Sequence, residues 1–98
     1  MTLRDLSYIQ LLMISKNIEN RLQTITKLML FFNYTSVDDN KYEFKLTVLI
    51  ADDIREIYIF LSEGEYMELQ SYEPEIFIEE LQSIITKKFL FKLTPFAI

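Results

Sequence analysis

Tyr42-Glu43-Phe44-Lys45-Leu46-Thr47-Val48-Leu49-Ile50 alternates along its whole length, with Tyr42, Phe44, Leu46, Val48 and Ile50 on one side and Glu43, Lys45, Thr47 and Leu49 on the other. A period of two over nine residues is the signature of a β-strand with one buried face. Because the stretches before and after it have helical spacing, this segment makes the chain a mixture of α and β rather than a helical bundle.

Reading outward toward the C-terminus, Asp52-Asp53 turns the chain, and Ile57 to Leu61 reads as a second strand. There Ile59 faces one side while Tyr58 and Phe60 face the other, so the strand is expected in the sheet interior. Glu63-Gly64 is expected to form a tight turn with Gly64 at positive φ. Met67 and Leu69, alternating with Tyr66, Glu68 and Gln70, then read as a third strand, which completes an antiparallel meander. Pro74 suits a first helical position, and Phe77, Ile78, Leu81, Ile84 and Ile85 follow three-and-four spacing, with Lys87 and Lys88 in the last turn. Phe89, Phe91 and Leu93 alternate with Leu90, Lys92 and Thr94 before Pro95, and read as a final strand returning parallel to the third.

Reading toward the N-terminus, Asp38-Asp39-Asn40 is a turn cluster of side chains that bond their own backbone. Before it, Leu11, Ile14, Ile18, Leu22, Ile25, Met29 and Phe32 fall within an arc of about 80° at helical spacing. Thr2 is the expected N-cap, with Asp5 in the capping-box position. Leu12, Met13, Leu30 and Phe31 widen the stripe at both ends, so those ends need burial on more than one side, unless Leu28 to Tyr34 forms a strand instead. The expected fold is therefore α+β, with two helices packed on a four-stranded, mainly antiparallel sheet in the order α-β-β-β-α-β. Residues 1–98 read as a single domain.

Composition narrows the chemistry. The chain has 98 residues with no His, no Cys and one Gly, which excludes Ser-His and Cys-His nucleophile pairs, His/Cys zinc sites, disulfides and glycine-rich phosphate cradles. Serines 7, 15, 36, 62, 71 and 83 have no His to activate them. Carboxylates are plentiful, but a chain this short offers little material for a walled pocket, so no enzyme activity and no cofactor are expected. The longest apolar runs, Leu28 to Phe32 and Ile57 to Leu61, are five residues each, far short of the ~20 needed to span a bilayer. No signal-peptide pattern opens the sequence, and a cytoplasmic location is the expectation.

Charge is segregated. Residues 1–37 carry four bases and two acids, residues 38–80 three bases and thirteen acids, and residues 81–98 three bases and no acid, for a net charge of −5. Scattered bases in an acidic chain make direct nucleic-acid binding an unfavourable reading. Between Glu56 and Thr86 no basic residue occurs, while Glu63, Glu65, Glu68, Glu73, Glu75, Glu79 and Glu80 accumulate, interleaved with Tyr66 and Tyr72. Such a run serves either as a solvated face for solubility or as a docking surface, with the tyrosines as anchors. The expected function is a non-catalytic protein-binding module that masks a basic partner, as an inhibitor, immunity or antitoxin-like protein would. Carboxylate rows can also imitate phosphates in a basic groove. The alternative is a dimeric chaperone or assembly subunit that binds through apolar surface. Homodimers are expected in either case, because the apolar content exceeds what a small two-layer domain can cover.

Asp38-Asp39-Asn40 and Asp52-Asp53 are the only clustered oxygen donors on turns, and neither follows a calcium-loop order. The melting temperature is accordingly expected to stay within about 2 °C when a chelator is added, and a larger fall in a thermal scan would reveal a structural metal.

Overall fold

The computed structural model describes residues 2–38 and 41–96. After a 3-10 turn at Leu3–Asp5 come α1 (Tyr8–Thr26), β1 (Met29–Asp38), β2 (Lys41–Ile50), β3 (Asp53–Phe60), α2 (Glu63–Gln70) and α3 (Pro74–Leu93). The fold is α+β, with three helices and one three-stranded antiparallel sheet of order β1-β2-β3. Among the described residues no helix is long and apolar enough to cross a membrane.

The β2 alternation holds. Phe44, Leu46 and Val48 are buried, and the register places Phe32 and Ile57 on either side of Leu46, with Tyr34 and Ile59 flanking Phe44. Leu30, Phe32, Phe44, Leu46, Val48 and Ile59 form the sheet's contribution to the core. Two helices cover this face, α1 lying along β1 and α3 along β3, packed against each other.

Four expectations need correction. The first helix stops at Thr26 instead of running to Phe32, and the strand alternative left open for Leu28 to Tyr34 holds from Met29 onward as β1. Lys27 takes a left-handed conformation (φ 62°) and closes the helix by donating its N–H to the Gln23 carbonyl at 2.9 Å. As a strand, the apolar run pairs Leu30 with Val48 and Phe32 with Leu46 inside the core, whereas a helix would have left several apolar sides uncovered. At the start, Thr2 and Asp5 cap the 3-10 turn, and α1 itself begins on a Ser7–Gln10 capping box with bonds of 3.2 and 2.8 Å.

Second, residues 57–61 do not lie in the sheet interior. β3 is an edge strand, and Ile54, Tyr58 and Phe60 face outward on the face that no helix covers. Third, Tyr66 to Gln70 is helical. Ser62 Oγ accepts the Glu65 N–H at 3.1 Å while the Glu65 carboxylate accepts the Ser62 N–H at 2.7 Å, a reciprocal cap that starts α2. Gly64 sits in its first turn without positive φ, and Met67, expected on a strand's apolar face, is exposed.

Fourth, residues 89–93 continue α3 rather than forming a strand, so no fourth strand and no parallel pairing occur among the described residues. Phe77, Leu81, Ile85, Phe89 and Leu93 make an unbroken i+4 row, all buried, and Phe91 points away at 82% exposure. The alternation of Phe89 and Phe91 is thus split between core and solvent. Phe89 meets Phe32 edge-on at 6.1 Å between centroids, and Phe32 stacks on Phe44 at 6.1 Å.

Both sheet edges are closed by helix side chains. On β1, Glu19 of α1 accepts the Phe32 N–H at 3.2 Å and Gln23 donates to the Leu30 carbonyl at 3.1 Å. On β3, Lys88 and Lys92 of α3 donate to the Phe60 and Tyr58 carbonyls at 3.2 and 2.7 Å. Ladder groups left free at an edge recruit foreign strands, and here each edge is partly occupied.

Of the turn residues expected from sequence, Asp39 and Asn40 lie outside the described residues. Between β2 and β3 the reversal occupies Ala51 and Asp52, at φ 50° and 67°, with Ile50 and Asp53 already paired. Positive φ at both positions is the requirement of a type I′ hairpin turn, which favours Asn-Gly, and an Ala there is strained by about 1 kcal/mol. Replacing the pair with Ala51→Asn and Asp52→Gly is expected to raise the unfolding free energy by about 1 kcal/mol in a urea titration.

Candidate functional site

α2 and the N-terminal half of α3 meet at an elbow. The Ser71 and Tyr72 N–H groups donate to the Glu68 and Leu69 carbonyls at 3.1 and 3.2 Å, ending α2, and Pro74 then starts α3 with Glu73 as its N-cap residue. The elbow carries all nine residues singled out in the acidic segment, and their surroundings divide them into two groups.

Three of the nine are tied into the fold. Glu63 forms an ion pair with Lys41 at the start of β2, both side chains more than half exposed, a contact worth little in stability. Glu65 caps α2 through Ser62 and binds Lys88 of α3 at 2.9 Å. Lys88 also holds the Phe60 carbonyl, so one ammonium links α2, α3 and the end of β3. Tyr66 is half-buried, and its hydroxyl accepts the Tyr42 N–H at 2.9 Å, extending the ladder past the end of β3. Burial raises the Tyr66 hydroxyl above its usual pKa, against the lowering effect of that backbone bond.

The other six remain available. Tyr72 donates its hydroxyl to Glu68 at 2.9 Å. Its pKa is raised first by that bond, then by burial and by the charges of Glu68 and Glu80. Glu73, Glu75, Glu79 and Glu80 are exposed. None of Glu68, Glu73, Glu75, Glu79 and Glu80 forms an ion pair among the described residues. Glu75 favours the α3 N-terminus through the helix dipole. Among the described residues, no side-chain hydrogen bond or ion pair ties Glu73, Glu79 or Glu80 to the fold.

Sequence reasoning missed Met67 and Ile76, which are 69% and 47% exposed on the same two helices as the carboxylates. Reading residues 66–70 as a strand placed Met67 inside. The Ser62-x-x-Glu65 capping signal would have corrected this. It also missed the uncovered sheet face, where Met29, Leu49 and Ile54 lie across the three strands beside Phe31, around a hollow of about 140 Å³.

Elsewhere, an open hollow of about 520 Å³ lies between β3 and α3, lined by Tyr58, Phe60, Phe91 and three lysines, and another of about 420 Å³ lies between α1 and β1. Among the described residues no three acidic side chains converge to hold a metal ion. The hollow between Leu3, Leu61, Leu69 and Phe77, which approaches the elbow from beneath, is apolar and holds about 10 Å³. What the elbow can do is present negative charge, an aromatic hydroxyl and two apolar side chains to a second macromolecule.

The Glu65 carboxyl is opposed by burial, which raises its pKa, and this is outweighed by the Ser62 N–H and the Lys88 ammonium, so it titrates below the usual carboxylate range. A carboxyl depressed by folding stabilises above its unfolded pKa, and that stabilisation is lost as pH falls through the lower folded value. Glu65→Gln is expected to cost about 1 kcal/mol at pH 7, and the difference from the parent should shrink and vanish as pH falls through the lowered folded value, in urea titrations at stepped pH.

No family model, no curated protein and no solved structure matches this chain.

Proposed function

We propose that this protein is a non-catalytic protein-binding module whose α2–α3 elbow docks on a basic surface of its partner, in the manner of an inhibitor, immunity or antitoxin-like protein. The observation that carries this reading is the group of carboxylates at Glu68, Glu73, Glu75, Glu79 and Glu80, left without ion pairs among the described residues while Glu63 and Glu65 are paired to bases. Exposed Met67, Ile76 and half-buried Tyr72 add the apolar and aromatic anchors that docking surfaces concentrate inside a polar rim. With no His or Cys in the chain and no converging metal ligands among the described residues, the elbow is suited to recognition rather than to turnover.

A second reading, a dimeric chaperone or assembly subunit binding through apolar surface, is favoured by the uncovered sheet face at Met29, Phe31, Leu49 and Ile54. The two differ in their response to salt. A carboxylate docking surface loses affinity as ionic strength shortens the Debye length, and an apolar one does not.

The test takes the partner recovered by affinity capture from the native cell and measures its binding kinetics with the double reversal Glu68→Lys/Glu75→Lys. Association is expected to slow by about tenfold, while fold stability falls by no more than about 1 kcal/mol through the loss of Glu75 at the α3 N-terminus. Matched reversal of Lys16 and Lys27 to Glu on the α1 side is the control. A gain in the control as large as the loss from the elbow pair would assign binding to net charge rather than to the elbow, and a salt-independent affinity would favour the sheet face.

A further inference from the structure

Helix α3 is divided by charge along its length. Glu75, Glu79 and Glu80 stand in its first half and Lys87, Lys88 and Lys92 in its second, with no base before Lys87 and no acid after Glu80. At 100° per residue, Ile76, Glu80, Ser83, Lys87 and Phe91 fall within an arc of about 80°, on the side opposite the buried row from Phe77 to Leu93. Ile76 and Phe91, at the two ends of this stripe, are 47% and 82% exposed, and Glu80 and Lys87 between them are exposed. A large apolar side chain at each end, opposite charges inside them and a small Ser83 at the centre form a surface that is complementary to itself when reversed.

From this arrangement we infer that a second copy of the chain docks here, α3 against α3 in antiparallel orientation about a two-fold axis near Ser83 and Ile84. That centre sets Ile76 level with Phe91 of the other copy and Glu80 level with its Lys87, each pairing occurring twice. Ser83 lets the helices approach at the crossing point. A parallel pairing would instead set acid beside acid and base beside base. The stripe spans about 22 Å at 1.5 Å per residue, a single helix pair at the small end of specific interfaces, so the dimer is expected to dissociate at about 10 to 100 µM. The interface is isologous and shares Ile76 and Glu80 with the elbow but leaves Glu68, Glu73 and Glu75 outside the stripe, so it goes beyond the elbow reading, and Glu68→Lys/Glu75→Lys tests the elbow without touching the stripe.

The test is sedimentation equilibrium of the full chain up to about 500 µM, at low and high salt. The parent is expected to dimerise, more weakly at high salt. Glu80→Lys and Lys87→Glu, both at exposed positions and checked for folding by circular dichroism, should each weaken the dimer by at least about tenfold. Mixed in equal amounts, these two single variants should associate with each other about as well as the parent, because every contact in the mixed dimer is again between opposite charges. The chain has no cysteine, so Ser83→Cys should cross-link to itself with a short bis-maleimide, while Ile76→Cys, about 22 Å from its counterpart across the axis, should not. A parent that stays monomeric throughout, single reversals that leave dimerisation unchanged, or efficient self-linking of Ile76→Cys would each overturn the inference. The second of these results would move the contact to another surface, such as the open sheet face.

Discussion

Three aromatic rings from three elements hold the architecture in place. Phe89 of α3 sets its edge against Phe32 of β1, and Phe32 lies against Phe44 of β2, so the C-terminal helix is keyed to the middle of the sheet. All three side chains are buried, and the i+4 row from Phe77 to Leu93 runs through this point along the whole helix. Once Phe89 is fixed, the remaining members of the row are carried onto the sheet and against α1. Phe91 is turned to solvent by the same rotation.

The same anchoring explains how the edges are managed. Lys88 and Lys92 can reach the free carbonyls of β3 because the helix that bears them lies along that strand, and Glu19 and Gln23 reach β1 from α1 in the same way. A three-stranded sheet has two faces and two edges. The two long helices of this chain cover one face and part of each edge, which leaves the second face bare, with Met29, Phe31, Leu49 and Ile54 grouped at one end of it. The exposed apolar surface is thus a consequence of the topology.

Charge follows a related division. Three ion pairs among the described residues join elements: Glu65 with Lys88 ties α2 to α3, Glu63 with Lys41 ties α2 to β2, and Lys45 with Glu56 at 3.7 Å crosses from β2 to β3, while Lys16 with Glu19 lies within α1. Among the described residues, Glu68, Glu73, Glu75, Glu79 and Glu80 have no such partners, and they lie at the elbow and on the first half of α3, away from the lysines of its second half. A helix with one sign at each end cannot neutralise itself at long range in salt water, but it can do so against a reversed copy or a basic partner.

The one-dimensional pattern of this protein was sufficient to identify the α+β class, the strand at residues 42–50, the reversal after it, the helix starting at Pro74 and the concentration of acid in residues 63–80. Each of these rests on local signals: a clean period of two, turn-forming residues, a proline at a helix start and a simple count of charges. The segments that the pattern left open or misassigned are those where apolar residues occupy both sides. Leu28 to Phe32 and Phe89 to Leu93 satisfy either period, and only the presence of β2 beside one and of the Phe77–Ile85 row before the other decides between strand and helix. Residues 66–70 went astray for a different reason, since the capping box at Ser62 and Glu65 outweighed a weak alternation. Which carboxylates are committed to the fold was likewise decided in three dimensions, because Lys41 and Lys88, distant in sequence from Glu63 and Glu65, become their neighbours only after the sheet and α3 have packed.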